Sequence, residues 1–361
     1  MSEPSQDNLI RRFRKWAIWA IAFGALLYVG GSVWAGLRDV QNELANFSWW
    51  LAIPVLLLTV VNYGLRFVKW HYLLGQLQAR VPWKENLRIF IAGLAMVISP
   101  AKAGELLKPY LVSKRTGVPM ATTLPALVAE RLTDAIAVLA LAAISVGTYA
   151  TELESREILG VQVSANGVLV AIAASIVLGL AVLSSKRVSF GILGVMGKVP
   201  LAKRVVPKLE EMYRALVTCL APVPLLWTVF LSLVAWGAEC WGFQLVLIGL
   251  GVEDAALGAC TFIYAFATIA GGPSPGGLGI ADGALVGMTT KLIGTNQAIA
   301  VTGALLIRIA TLWFGVGMGA IALMGFDKLL DKGLPPVGGA KGEEREPVSD
   351  PDSPQDSAPE S

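Results

Sequence analysis

The sequence predicts an all-α polytopic membrane protein with about six full spans and two broken, re-entrant helical segments of opposite orientation. Three observations carry this prediction. First, apolar runs of about 20 residues recur along a 361-residue chain that is 55% apolar and 15% charged, with mean hydropathy +0.63. Each run is long enough to cross roughly 30 Å of hydrocarbon. Second, two further apolar segments break at Ser-Pro-x-x-x-Gly, once at Ser99-Pro100-Ala101-Lys102-Ala103-Gly104 and once at Ser274-Pro275-Gly276-Gly277-Leu278-Gly279. Third, an arginine inside a later span follows each break, Arg131 27 residues after Gly104 and Arg308 29 residues after Gly279.

The full spans are expected at residues 16–36, 49–67, 121–150, 163–184, 222–250 and 298–324. Residues 1–15 form a short amino-terminal segment and 16–324 the membrane domain. The tail, 325–361, is expected to be disordered and acidic, because Pro, Ser, Asp and Glu dominate it. The first span follows Arg11-Arg12-x-Arg14-Lys15 and has no small-residue cleavage site after it, so it reads as an uncleaved anchor. Trp16, Trp34, Trp49, Trp50, Trp83 and Trp227 fall near span ends, where indole anchors to the interface.

Lysine and arginine asymmetry sets the expected orientation. With the amino terminus inside, the inner stretches hold 23 of the 29 basic residues and the outer loops only Arg38 and Arg156. Both termini should then be cytoplasmic, in a cell inner or plasma membrane.

The broken segments, 86–110 and 255–293, are too short or too interrupted for ordinary spans. The first has basic flanks on both sides and should dip in from the cytoplasm. The second follows Glu253-Asp254 and should dip in from outside. Upstream, Tyr63-Gly64-x-Arg66 parallels Trp236-Gly237-x-Glu239, and the offsets between the two copies stay between 173 and 177. Three crossings between the breaks, an odd number, would make this an inverted repeat with halves near 49–150 and 222–324. Broken helices at matching places in two such halves point to a transport site near the bilayer midplane.

The run Gly271-Gly272-Pro273-Ser274-Pro275-Gly276-Gly277-x-Gly279 cannot be a continuous lipid-facing helix. Two readings fit it. One is an open backbone whose N–H groups, with the helix start after Gly279, face an anion. The other is a tight turn that lets helices pack closely. No Gly-Lys-Ser/Thr follows, so it is not a nucleotide P-loop.

Six ionisable residues fall within spans: Arg66, Glu130, Arg131, Asp134, Glu239 and Arg308. At ~3 kcal/mol each, lipid-facing placement would cost about 15–20 kcal/mol in all, so they must pair, face the protein interior or snorkel. Glu130, Arg131 and Asp134 crowd one helix face. Either they form a structural ion cluster, or they line a polar cavity with Lys102, Glu105 and Lys108. The single histidine, His71, excludes a histidine-ligated metal centre, and Cys219, Cys240 and Cys260 show no CxxC spacing. Gly283-x-x-x-Gly287 and Gly315-x-x-x-Gly319 allow close helix contact, and residues 207–220 could lie flat at the inner surface.

Taken together, Arg66-x-x-Lys69-Trp70, Pro100-x-x-x-Gly104-Glu105-x-x-Lys108, Glu130-Arg131-Leu132-x-Asp134, Pro275-Gly276-Gly277-Leu278-Gly279 and Arg308 resemble the transmembrane region of bacterial lysylphosphatidylglycerol synthetases. This family also occurs as stand-alone flippase-like membrane proteins, and the resemblance covers roughly residues 49–324. It implies movement of a phospholipid or a polyprenyl-linked lipid across the membrane. Two positions depart from the pattern while keeping its charge: Lys102 stands where arginine is expected, and Asp282 where glutamate often follows the Gly-Gly-Leu-Gly turn. Lysine gives up the bidentate phosphate geometry of arginine.

The chain carries no soluble aminoacyl-transferase region, so synthesis of lysylphosphatidylglycerol is not expected of it. The leading expectation is a lipid flippase or scramblase. Lys102, Lys108, Arg131 and Arg308 would contact phosphate, and Glu105, Glu130, Asp134 and Asp282 would bind an amine or carry a proton. Arg66, Lys69, Gly104, Ser274, Pro275, Gly276, Gly277 and Gly279 would complete the substrate site. The alternatives are an integral-membrane enzyme transferring a group to a lipid carrier and a small-solute secondary transporter. Membrane lipids are the expected partners, together with a separate lipid-modifying enzyme; no cofactor and no nucleic acid are implied.

Overall fold

The computed structural model describes residues 26, 29–99, 104–153, 157–158, 161–162, 167, 170, 174 and 206–330. Most of the expected spans 16–36 and 163–184, the tail after 330 and Lys102 in the first break lie outside them. Apart from a small hairpin pairing Glu157–Ile158 with Val161–Gln162, the described residues form helices and their connections.

The order is α1 (Leu37–Asn46), a 3-10 turn (Trp49–Leu51), α2 (Ala52–Gln76), α3 (Trp83–Leu94), α4 (Leu107–Thr116) and α5 (Met120–Leu153). Then follow α6 (Val206–Cys219), α7 (Pro222–Gly249), α8 (Leu257–Ala270) and α9 (Ile280–Met288), which runs into a wide π turn at Thr289–Ile293. Last come α10 (Gln297–Arg308), a second π turn (Ile309–Trp313) and α11 (Phe314–Leu330). Three helical stretches, Trp49–Gln76, Pro222–Gly249 and Gln297–Leu323, are long and apolar enough to cross a membrane. At 34 residues α5 is long enough too, but it carries Glu130, Arg131 and Asp134 within five positions.

Each half has the same succession: a long helix, a helix–break–helix hairpin, a long helix. The first is α2, α3–α4, α5; the second is α7, α8–α9, α10–α11. Their packing is reciprocal. The leading helices α2 and α7 lie against each other, α5 packs on α8, and α11 packs on α3. One apolar core gathers around each hairpin: Trp70, Leu73, Phe90 and Val112 in the first half, Phe243, Leu247, Ile263 and Leu285 in the second.

Both breaks are hairpins that turn back. In the first, Arg115 at the end of α4 donates to Glu85 at the start of α3 through Nε (2.6 Å) and Nη2 (2.8 Å), so the two ends of the segment lie side by side. In the second, α8 packs along α9 and its π turn. The two tips meet, since a Cβ on Gly276 would stand 3.0 Å from Ile98 Cγ2. Local chemistry ends and starts these arms. Gly117 closes α4 in the left-handed region (φ 73°) and donates to the Ser113 carbonyl at 2.9 Å. Asp282 accepts from the N–H of Gly279 at 2.8 Å, and Asn296 caps α10 by accepting from the N–H of Ile299 at 2.8 Å.

Three sequence expectations shift. The span expected to end at 67 continues as α2 to Gln76, because Lys69 is fully buried and paired rather than solvated. Of the two Gly-x-x-x-Gly pairs, Gly319 abuts the backbone of Ile91 and Ala95 and sets the α11–α3 approach, while Gly315 abuts the Tyr63 hydroxyl of α2. Gly283 and Gly287 meet nothing within 4 Å. The 207–220 segment is helical as α6, but it packs on α5 and buries Cys219. Trp34, Trp49, Trp50, Trp83 and Trp227 are exposed, as interfacial anchors should be.

Two outcomes are expected. Gly319→Leu forces α11 off α3 and costs about 1–3 kcal/mol, read as a lower melting temperature in detergent, while Gly283→Leu leaves the melting temperature unchanged. The Arg115 hydrogen bond holds the Glu85 carboxyl below its ordinary value. Its contribution is therefore present above the ordinary carboxylate range and lost as pH falls through the depressed folded value. Glu85→Gln should melt below wild type at neutral pH, and the gap should close in acid.

Candidate functional site

The helices bring four of the six charges, Arg66, Glu130, Arg131 and Asp134, into one network. Glu130 on α5 is inaccessible to solvent and sits at its centre. Lys108 of α4 donates to Glu130 Oε2 at 2.6 Å, Arg131 Nη2 lies 2.9 Å from Oε1, and Arg66 Nη2 of α2 lies 3.8 Å from Oε1. Gly93 leaves room for the Lys108 stem to pass, and the ammonium lies 4.5 Å from the centre of the Trp70 ring. Arg131 also reaches Glu105 at 3.1 Å and Asp134 at 3.8 Å.

Lys69 closes the back of this cluster. Its ammonium meets Asp134 at 2.5 Å, Ser232 at 2.7 Å and the Glu130 carbonyl at 3.2 Å, and Ser232 donates to Asp134 at 3.0 Å. The pair therefore stitches α2, α5 and α7 together.

The second half carries a related pairing. Arg308 Nε lies 2.9 Å from Asp282 Oδ1, out of line for a hydrogen bond, and the guanidinium donates instead to the Gly276 carbonyl. Arg131–Glu105 and Arg308–Asp282 each join the arginine of a closing helix to a carboxylate just beyond a break. Both members are displaced by the same 177 residues.

Between the two clusters lies a cavity of about 150 Å³, partly open to the surface. Arg66, Glu105 and Arg131 line it from the first half, and Gly276, Gly277 and Arg308 from the second. Gly276 (φ 59°) and Gly277 (φ 76°) adopt left-handed backbone, which keeps the turn free of side chains beside the Arg308 guanidinium. The glycine run is a tight turn, and its backbone at Gly276 and Gly277 borders the cavity.

Of the other residues predicted for the site, Lys69, Lys108, Glu130 and Asp134 stand behind the wall and hold the lining arginines in position. Gly104 donates to Ser99 Oγ at 2.7 Å, and Ser274 donates to the Gly271 carbonyl at 3.0 Å, so both shape the breaks. Pro275 opens the short 3-10 turn, and Gly279, with Asp282, starts α9. Lys102 lies outside the described residues. The sequence prediction omitted Tyr63, Trp236, Glu239 and Tyr264, which also line the cavity. The signal was present for three of them: Tyr63 and Trp236-Gly237-x-Glu239 belong to the repeated motif.

The model of the lysylphosphatidylglycerol synthase TM region matches residues 18–319. The chain belongs to that family. Membership ties it to the membrane and to modification or flipping of membrane lipids. No curated protein matches the chain. For a member of the lysylphosphatidylglycerol synthase TM family, the geometry supplies a polar chamber walled by paired charges within apolar helices.

Lys69→Met should leave Asp134 with only the Ser232 hydroxyl and the distant Arg131, costing about 3–5 kcal/mol. Adding Asp134→Leu should restore most of that loss. A double-mutant cycle on unfolding in detergent reads it; equal losses in the single and double variants would contradict the pairing.

Proposed function

We propose that this protein is a flippase or scramblase of the cytoplasmic membrane, moving a phospholipid or lipid-linked head group between leaflets while the acyl or prenyl tails stay in the bilayer. One observation carries the reading: a partly open cavity inside apolar helices is lined by Arg66, Arg131 and Arg308, drawn from both halves of the chain. Three guanidiniums around one chamber match the phosphate that membrane lipids share. Ionisable residues within a membrane ordinarily mark a substrate or ion path.

The two halves form an inverted repeat in this reading. The odd number of crossings between the breaks, the hairpin at each break and the reciprocal packing of α5 on α8 and α11 on α3 support it. Six full spans and two re-entrant hairpins then leave both termini cytoplasmic. Rocking of one half against the other would expose the cavity alternately to the two leaflets. The protein itself performs no covalent chemistry, and a separate enzyme makes or consumes its lipid.

Reconstitution into liposomes with head-group-labelled phospholipid and an impermeant quencher tests this. Wild type should expose inner-leaflet lipid faster than empty liposomes. Arg131→Ala removes a charge-assisted contact of about 1.5–3 kcal/mol and should slow translocation by roughly tenfold or more. Gly277→Leu, which fills the cavity beside Arg308, should do the same while the protein remains monodisperse. Wild-type rates equal to empty liposomes, with phospholipid and polyprenyl-linked lipid alike, would overturn the proposal.

A further inference from the structure

The buried carboxylates around the cavity differ in how they are held. Glu130, Asp134, Glu105 and Asp282 each have a lysine or arginine within ion-pair distance. Glu239 on α7 has none among the described residues, although it is 5% exposed and lines the cavity. Its one side-chain hydrogen bond among the described residues comes from the Tyr264 hydroxyl, 2.7 Å from Oε2.

The titratable and charged groups that face Glu239 come from four packed elements. They are Tyr63 and Arg66 on α2, Asp134 on α5, Tyr264 on α8 and Arg308 on α10. The two arginines stand beyond ion-pair range, so they favour the carboxylate only through their field. A buried charge without a direct partner is costly. Anything that neutralises Arg66 and Arg308 would leave that cost uncompensated, and the carboxylate would then take a proton.

Resting on the phosphate reading of the cavity, we propose that Glu239 is a proton-binding residue that takes up a proton when an anionic phosphate head group engages Arg66 and Arg308, and releases it when the phosphate leaves. The proton comes from water in the cavity and forms an O–H bond at Oε1, since Oε2 accepts from Tyr264. On release the O–H bond breaks, the proton returns to water and the carboxylate regains its charge. Phosphate and proton thus enter as a nearly neutral set, which lowers the cost of carrying a charged head group through the membrane.

The contacts also suit transmission of the event. Tyr264 hydrogen-bonds Glu239 and lines the cavity together with Thr311, and Tyr63 donates to the Thr311 carbonyl. Thr311 belongs to the π turn directly after Arg308, a kind of bulge that recurs at functional sites. Glu239 also occupies the station in the second half that Arg66 occupies in the first, 173 residues earlier. The repeat therefore carries opposite charges at matching places.

Calorimetric titration of protein in lipid nanodiscs with monomeric dihexanoyl phosphatidylglycerol, in two buffers of different ionisation enthalpy, counts protons bound with lipid. Wild type and Glu239→Asp should take up roughly one proton per lipid. Glu239→Gln, eluting as wild type, should bind lipid with no uptake. Equal uptake by wild type and Glu239→Gln would overturn the proposal. Binding by wild type without proton uptake would overturn it too, yet leave the phosphate reading standing. No binding to any of the three proteins would remove the phosphate reading, and the proposal with it.

Discussion

Charge inside hydrocarbon must be answered by charge, and Glu130 is where this chain answers it. The carboxylate is out of contact with solvent, and Lys108, Arg131 and, more distantly, Arg66 converge on it from three helices. Removing any one partner would leave uncompensated charge in a low-dielectric setting. The cluster thus dictates how α2, α4 and α5 sit, and it aims Arg66 and Arg131 at the cavity. Lys69 and Asp134 extend the constraint to α7 through Ser232. The polar wall of the chamber and the structural frame of the first half are the same set of bonds.

The second half solves the same problem with fewer charges. Arg308 is held by Asp282 and by the Gly276 carbonyl, so open backbone takes over part of the role that carboxylates play around Arg131. Irregular backbone at such depth is tolerated where it borders a cavity, and Gly276 and Gly277 border this one. The Arg131–Glu105 and Arg308–Asp282 pairs share a common 177-residue offset, so the spacing seen in the motifs recurs in the contacts.

Much of the architecture is legible from local chemistry. Ser-Pro and Gly-Gly steps mark both breaks, and uninterrupted apolar runs mark α2, α7 and the α10–α11 stretch. The misjudged boundary follows from treating charge as solvated: the span ended at 67 because Lys69 looked cytoplasmic, yet Asp134, 65 residues away, makes its burial possible. Nothing local announces that pairing. Arg66, Arg131 and Arg308 stand out in the sequence because isolated cations in apolar runs are rare. Glu239 was visible as an intramembrane charge but had no recognisable role, since its environment comes from α2, α8 and α10 only after folding. The split between lining and supporting residues was likewise illegible, because all are charges in apolar helices and only the folded chain shows that Arg131 lines the cavity while Lys108 and Glu130 do not.

The account stands on water reaching the chamber between the halves. In a cysteine-free background, with Cys219, Cys240 and Cys260 replaced, single cysteines at Thr268 and Ile269 compare the cavity wall with the adjacent exposed apolar surface of α8. With the protein in membranes, a charged, membrane-impermeant thiol reagent should label Thr268→Cys and spare Ile269→Cys. Labelling of Ile269→Cys alone, or of neither position after both faces of the membrane have been exposed to reagent, would contradict the chamber.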